Sequence, residues 1–148
     1  MTIRPAMPAD LAALLAVDPL ARAGSERTGD IVEWVCSGTC FVALRDQAIA
    51  GYAAFSTHFF HQRFLELVMV GEAYRRQGIG QALVQHILDL APGGKLWTST
   101  NESNAPMREL LARMGFVPSG RVDNLDPGDP ELIFVHLPKV TPVESAAR

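Results

Sequence analysis

Cysteine is scarce in this chain of 148 residues: Cys36 and Cys40 are the only two, and no histidine stands at ligand spacing from them. A zinc site is therefore not expected, and both thiols read as free and buried. Positive charge is not in surplus either. Lys and Arg number 13 against 16 Asp and Glu, a net charge of −3, which argues against nonspecific nucleic-acid binding because that needs a basic surface. No apolar run reaches the roughly 20 residues of a membrane span, and no basic-then-apolar leader opens the sequence, so a cytoplasmic protein without a membrane partner is expected. Internal repeats and low-complexity blocks are also missing. What remains is an ordinary composition, 48% hydrophobic, in a chain long enough for one domain with a real core. That domain is expected to span residues 1–138, with the small and polar stretch 139–148 a frayed tail.

The informative stretch is residues 64–90. It opens with FLELVMV, an apolar run broken only by Glu66 and suited to a half-buried strand. The turn GEAY and the loop RRQGIG follow, and a helix starts inside that loop. Ile79, Leu83, Ile87 and Leu90 fall at intervals of four, four and three, while Gln81, Gln85 and Asp89 point elsewhere, so one stripe is apolar. Strand, basic glycine loop and helix together make an anion site. The first helical turn offers backbone N–H groups with no partner and the positive end of the dipole. Gly78 and Gly80 remove side chains that would hold a phosphate away, and Arg75 and Arg76 add formal charge. Nucleotide motifs do not fit: no GxxxxGK followed by Ser or Thr occurs, and the third glycine of a dinucleotide fingerprint would fall at Leu83.

In this form the chain resembles the GNAT superfamily of N-acetyltransferases, whose hallmark is Arg/Gln-x-x-Gly-x-Gly/Ala after an apolar strand. Here it stands as Arg75-Arg76-Gln77-Gly78-Ile79-Gly80, with Val70 five residues upstream. A second segment, NAPMRELLARMGF from Asn104, resembles the superfamily's N-A-x-x-x-x-L-Y-x-x-x-G-F, except that Leu111 stands where many members have tyrosine. The resemblance covers nearly the whole chain. It implies an α/β fold with a mixed, mostly antiparallel sheet, splayed central strands and flanking helices. It implies acetyl-CoA as cosubstrate and, as acceptor, a primary amine of a small molecule or peptide that attacks directly in a ternary complex. By the same resemblance the backbone of Val68, Met69 and Val70 meets pantetheine and the acetyl carbonyl. Arg76, Gln77, Gly78, Ile79, Gly80 and Gln81 cradle the pyrophosphate beside Arg75, and Asn104 lies near pantetheine, a role compatible with a plain helix cap. Homodimers are common in the superfamily, though nothing in these residues specifies an interface.

Elsewhere the chain opens with a strand at Ile3 and Arg4, a turn at Pro8, a cap at Asp10 and the helix LAALLAV. Ile31, Trp34 and Val35 mark a second helix, with Trp34 read as core rather than as part of an acceptor wall. Residues 41–45 and 48–56 form a hairpin about Asp46-Gln47, and residues 57–62 connect to the Glu66 strand, with His58 and His61 either in a solvated turn or one of them lining an acceptor pocket. Pro92-Gly93-Gly94 ends the central helix before a strand at residues 95–100, which implies a right-handed crossover. Two last strands flank the turn DNLDPGDP, whose Asp123, Asp126 and Asp129, with Glu131, either border an acceptor mouth and favour a cationic amine or simply suit a solvated turn.

Acetylating an amine requires removing a proton, because an alkyl ammonium of pKa about 10.4 has no free lone pair. An oxyanion donor, an acid for the leaving thiolate and positioning supply the rest. Glu66 is the candidate base. Alternation places it on the side of Val68 and Val70 unless a bulge intervenes, and burial there would raise its pKa into a useful range. The bland alternative is a solvent-facing strand residue or a partner for Arg63. Part of the superfamily carries a glutamate on the following strand, where this chain has Ser99. With Leu111, that departure weakens a ribosomal-protein acetyltransferase reading and keeps open a catalytically silent CoA-binding regulatory or interaction module.

Overall fold

The computed structural model describes residues 1–21 and 24–139. Its strands are β1 (Thr2–Pro5), β2 (Cys40–Arg45), β3 (Ala48–Phe59), β4 (Gln62–Val70), β5 (Leu96–Asn101), β6 (Val117–Val122) and β7 (Glu131–His136). Its helices are α1 (Leu11–Val17), α2 (Glu26–Ser37), α3 (Ile79–Asp89) and α4 (Ala105–Arg113). The strands form one sheet in the order β1-β2-β3-β4-β5-β7-β6. Only β4 and β5 run parallel, because the chain crosses through α3 between them. The other neighbours are antiparallel. No helix among the described residues is long and apolar enough to cross a membrane.

Each face of the sheet has its own core. On one face Ile79, Leu83, Val84 and Ile87 of α3 and Leu111 of α4 pack on Phe41, Ala53, Leu65, Leu96 and Phe134. Burying a leucine or isoleucine such as Leu83 or Ile87 is worth about 1.5–3 kcal/mol, which makes α3 the firmest helical attachment. On the other face Leu14 of α1 and Ile31 and Val35 of α2 pack on Val42, Tyr52 and Ala54, with Leu67 and Met69 at the margin. This second layer of helices stops at β4. Beyond it, β6 is exposed along its whole length, and that half of the face is uncovered.

Two departures from regular pairing in β4 shape the centre. Ala54 lies opposite Leu67 and Phe55 opposite Leu65, so Glu66 is an extra residue with no partner on β3. This bulge turns the strand over. Leu65 below it and Val68 and Val70 above it all face α3 and α4, while Leu67 and Met69 face the other way. β4 then meets β5 only at Phe64 with Trp97 and Leu65 with Thr98, although both strands run on. The two strands part above the bulge.

Several sequence expectations change. Leu90 lies past the end of α3 and is 47% exposed; the helix ends at Asp89, before the interval of three can return that side chain to the core. Cys36 is exposed and Cys40 buried, since the two fall on a helix surface and an interior strand. Asp10 does not cap forward; its carboxylate reaches back to the Met7 N–H at 2.7 Å and pairs with Arg4 at 2.8 Å. β3 continues through His58 to Phe59, so the connection to β4 is a two-residue turn at Phe60 and His61. Trp34 is half-buried against the α1–α2 core, as read from its spacing. The segment read as a frayed tail lies outside the described residues apart from Lys139.

Candidate active site

The glycine loop leaves β4 through a short 3-10 turn at residues 72–74 and enters α3 with Gly78 as the capping residue. Gly78 has φ +77 and nothing within 4 Å of where a Cβ would stand, so the backbone conformation, not crowding, calls for glycine there. Arg76 is also left-handed, at φ +64. Left-handed residues at 76 and 78 curl the backbone just before the helix, where Ala82 is the first N–H to bond into it, to the Gly78 carbonyl at 3.0 Å. The preceding N–H groups of the first turn are available to an anion, with the helix dipole and two exposed arginines around them. These features fit a pyrophosphate. Gly80 has a different task. A Cβ there would lie 3.6–3.7 Å from Leu110, Val68 and Val70, so Gly80 faces β4 and α4 rather than the open loop.

Two helices begin at the open end of the gap between β4 and β5. α3 follows β4, and α4 follows β5 with Asn104 as its cap, the side chain accepting from the Met107 N–H at 3.3 Å. Above the bulge β4 has no pairing with β5, which leaves the edge formed by Val68, Met69 and Val70 open to an extended ligand. Leu111 is fully buried in the α3–α4 core and brings no hydroxyl to the gap.

Glu66 sits on the opposite face from the one expected. The bulge turns it away from Val68 and Val70, and it accepts a hydrogen bond from Ser56 Oγ at 3.0 Å. It is exposed, so the burial expected to tune it is not found. Nor is it a partner of Arg63. That side chain lies under α3, where it donates to the Ile87 carbonyl at 2.7 Å and favours the negative end of the helix, and its burial lowers the guanidinium pKa.

A second carboxylate, which the sequence reading grouped with the acidic turn as either a border of the acceptor mouth or part of a solvated turn, stands on the far bank of the gap. Glu131 of β7 accepts a hydrogen bond from Ser99 Oγ of β5 at 2.7 Å. Asp126 accepts from Asn101 at 2.8 Å, Asp129 accepts from Ser103 Oγ and N–H at 2.6 and 3.0 Å, and Asp123 pairs with Arg121 at 2.7 Å. The acidic turn is thus a bonded clasp between the β6–β7 hairpin and the end of β5. The pattern in sequence could not reveal the partners of Asp126, Asp129 and Glu131, each more than twenty positions away.

Sequence reading also missed a buried network behind this face. Asp18, at the end of α1, accepts from the Tyr52 hydroxyl at 2.5 Å, from Arg27 at 2.7 Å and from the Leu20 N–H at 2.9 Å. Burial works to raise the Asp18 carboxyl, but these three donors outweigh it and hold it below the ordinary range. The Tyr52 hydroxyl is pushed up by burial and by the same carboxylate.

A sheet that splits beside a glycine-rich helix start, with an open strand edge in the split, defines a family. Residues 10–116 match the acetyltransferase (GNAT) family, and the chain belongs to it. The crystal structure of a GNAT-family acetyltransferase from Bacillus cereus ATCC 10987 is similar at TM-score 0.85 and 33% identity, over 94% of this chain and 98% of that one. The ribosomal-protein-S18-alanine N-acetyltransferase of Escherichia coli shares the fold at TM-score 0.79 and 22% identity, over 95% and 96% of the two chains. Among curated proteins, the peptidyl-lysine N-acetyltransferase YjaB of Salmonella typhimurium is 39% identical over 66 residues. That match spans 45% of this chain and 44% of the relative.

Proposed function

We propose that this chain transfers the acetyl group of acetyl-CoA to a primary amine of a small molecule or peptide, by direct attack within a ternary complex. The observation that carries this reading is the parted strand pair, with an anion cradle on one side and a serine-held carboxylate on the other. Acetyl-CoA supplies an acetyl group already activated as a thioester. Residues 76–81 hold its pyrophosphate with backbone N–H groups, helped by Arg75 and Arg76. The edge of Val68, Met69 and Val70 aligns the pantetheine arm, with Asn104 at the mouth.

The acceptor enters from the other face. Glu66 draws the ammonium and takes its proton, directly or through water, so that the nitrogen attacks with a free lone pair. The nitrogen loses two protons overall; the second leaves with the departing thiol. Leu111 offers no acid for that step, so positioning carries a larger share.

The test is release of free thiol from acetyl-CoA across a panel of amines, with wild type and Glu66→Gln compared. Glu66→Gln is expected to lower kcat by about 100-fold while CoA binding stays intact. If the wild type binds CoA and no amine accelerates thiol release, the chain is a silent CoA-binding module instead.

A further inference from the structure

The uncovered half of the acceptor face contains a pocket of about 470 Å³ walled by Phe59, Phe60, Trp97 and Ile133, with Arg121 at its rim. This volume lies in the range of small-molecule sites. Its aromatic walls are mutually fixed: the Phe59 ring lies 5.2 Å from Trp97 and 5.0 Å from Phe64. The Trp97 indole N–H donates to Gln62 at 2.6 Å, which sets the angle of the ring. Phe60 closes the wall from the β3–β4 turn, where it is 81% exposed and held at φ +52. A bulky side chain kept both in water and in left-handed backbone is costly in two ways, and such costs collect at functional sites.

The pocket lies in line with the proposed chemistry. Trp97 and Ser99 point to the same side of β5, Ile133 and Glu131 to the same side of β7, and Ser99 is bonded to Glu131. Along β4, Glu66 lies two residues above Phe64, the partner of Trp97. Two residues of strand are about 6.6 Å. One step up from the aromatic floor, a carboxylate therefore stands on each bank of the gap. The pocket itself has no carboxylate in its lining, and Arg121 is already paired with Asp123. No formal negative charge inside it would pair with an ammonium, and its rings suit a flat apolar body.

We propose that this pocket seats the aromatic body of an arylalkylamine acceptor, its short alkyl arm carrying the ammonium up between Glu66 and Glu131. The assignment rests on the transferase reading above and names its substrate class. Glu131 is then a second anchor for the ammonium, held in place by Ser99.

Thiol release from acetyl-CoA is measured with phenylethylamine and tryptamine against butylamine, spermidine and a lysine peptide. The arylalkylamines are expected to show kcat/KM at least about tenfold above butylamine. Phe60→Gly removes one wall and frees the backbone of its left-handed cost. It is expected to lower the preference for arylalkylamines over butylamine by about 2- to 10-fold, with a melting temperature equal to or above that of the wild type. Acetylation of butylamine, spermidine or the lysine peptide as efficiently as the arylalkylamines overturns the assignment, as does an unchanged preference in Phe60→Gly. Silence with every amine would overturn the transferase reading itself. Calorimetry of phenylethylamine against the CoA-loaded protein then decides the pocket: binding that Phe60→Gly weakens retains it, and no binding removes it.

Discussion

Asp18 shows what a single buried charge does to this protein. Its carboxylate is 1% exposed, yet three donors surround it, from α2, β3 and its own turn. A carboxylate whose folded pKa lies below its unfolded value adds stability at neutral pH, and that stability is lost as pH falls below about 3.9 toward the folded value. Asp10, lowered by its hydrogen bond and ion pair with Arg4, acts in the same direction. Urea unfolding midpoints at pH 7, 5 and 3 are expected to fall steeply at the acid end in the wild type. Asp18→Asn should be weaker at pH 7 and show a shallower decline between pH 5 and 3. None of this was legible from the sequence, because Asp18 and Tyr52 are 34 positions apart and neither belongs to a local motif. Glu66 was legible as an interruption of an apolar strand. Its orientation was not, because the bulge is set by pairing with β3 and leaves the pattern L-E-L looking like simple alternation.

At the scale of elements, the strand, loop and helix from 62 to 89 were readable because a single period of apolar residues runs through α3 and the left-handed loop needs glycine. The glycines themselves separate into tasks only in three dimensions. A Cβ on Gly51 would stand 2.6 Å from the Met69 carbonyl, where β3 and β4 approach closely. Gly51→Ala is therefore expected to cost about 1–3 kcal/mol, as overpacking does. Gly80→Ala meets only ordinary contacts and gains helix propensity, so it should be neutral or stabilising by up to about 1 kcal/mol. Thermal unfolding ranks the two, and calorimetry should find CoA binding retained in Gly80→Ala. Loss of CoA binding there would restore to Gly80 the task of clearing the phosphate site.

For the whole molecule, the weakest seam is also the proposed working seam. The two faces have separate cores, and the parallel pair at the centre of the sheet is joined over only two residue pairs. Saturating CoA should therefore act as a strut. At 100 times its Kd a ligand adds about 2.7 kcal/mol to global stability, and hydrogen exchange should slow most at residues 66–70 and 76–81 and least in β1. Uniform protection, or protection confined to β1 and β2, would place the ligand elsewhere. The single unpaired residue at Glu66 governs more than its own side chain. Counted along the strand, it is an inverter: odd-numbered residues face α3 below it and even-numbered residues above it, so the chain carries two opposite reading phases in one element. Substituting Glu66 keeps the count and changes only chemistry, whereas deleting it would set Leu65 directly before Leu67, merge the phases into one plain alternation with Val68 and Val70 still facing α3, and remove the bulge above which β4 and β5 part. The carboxylate and the architecture of the cofactor edge therefore share one position in the sequence but answer to different kinds of mutation.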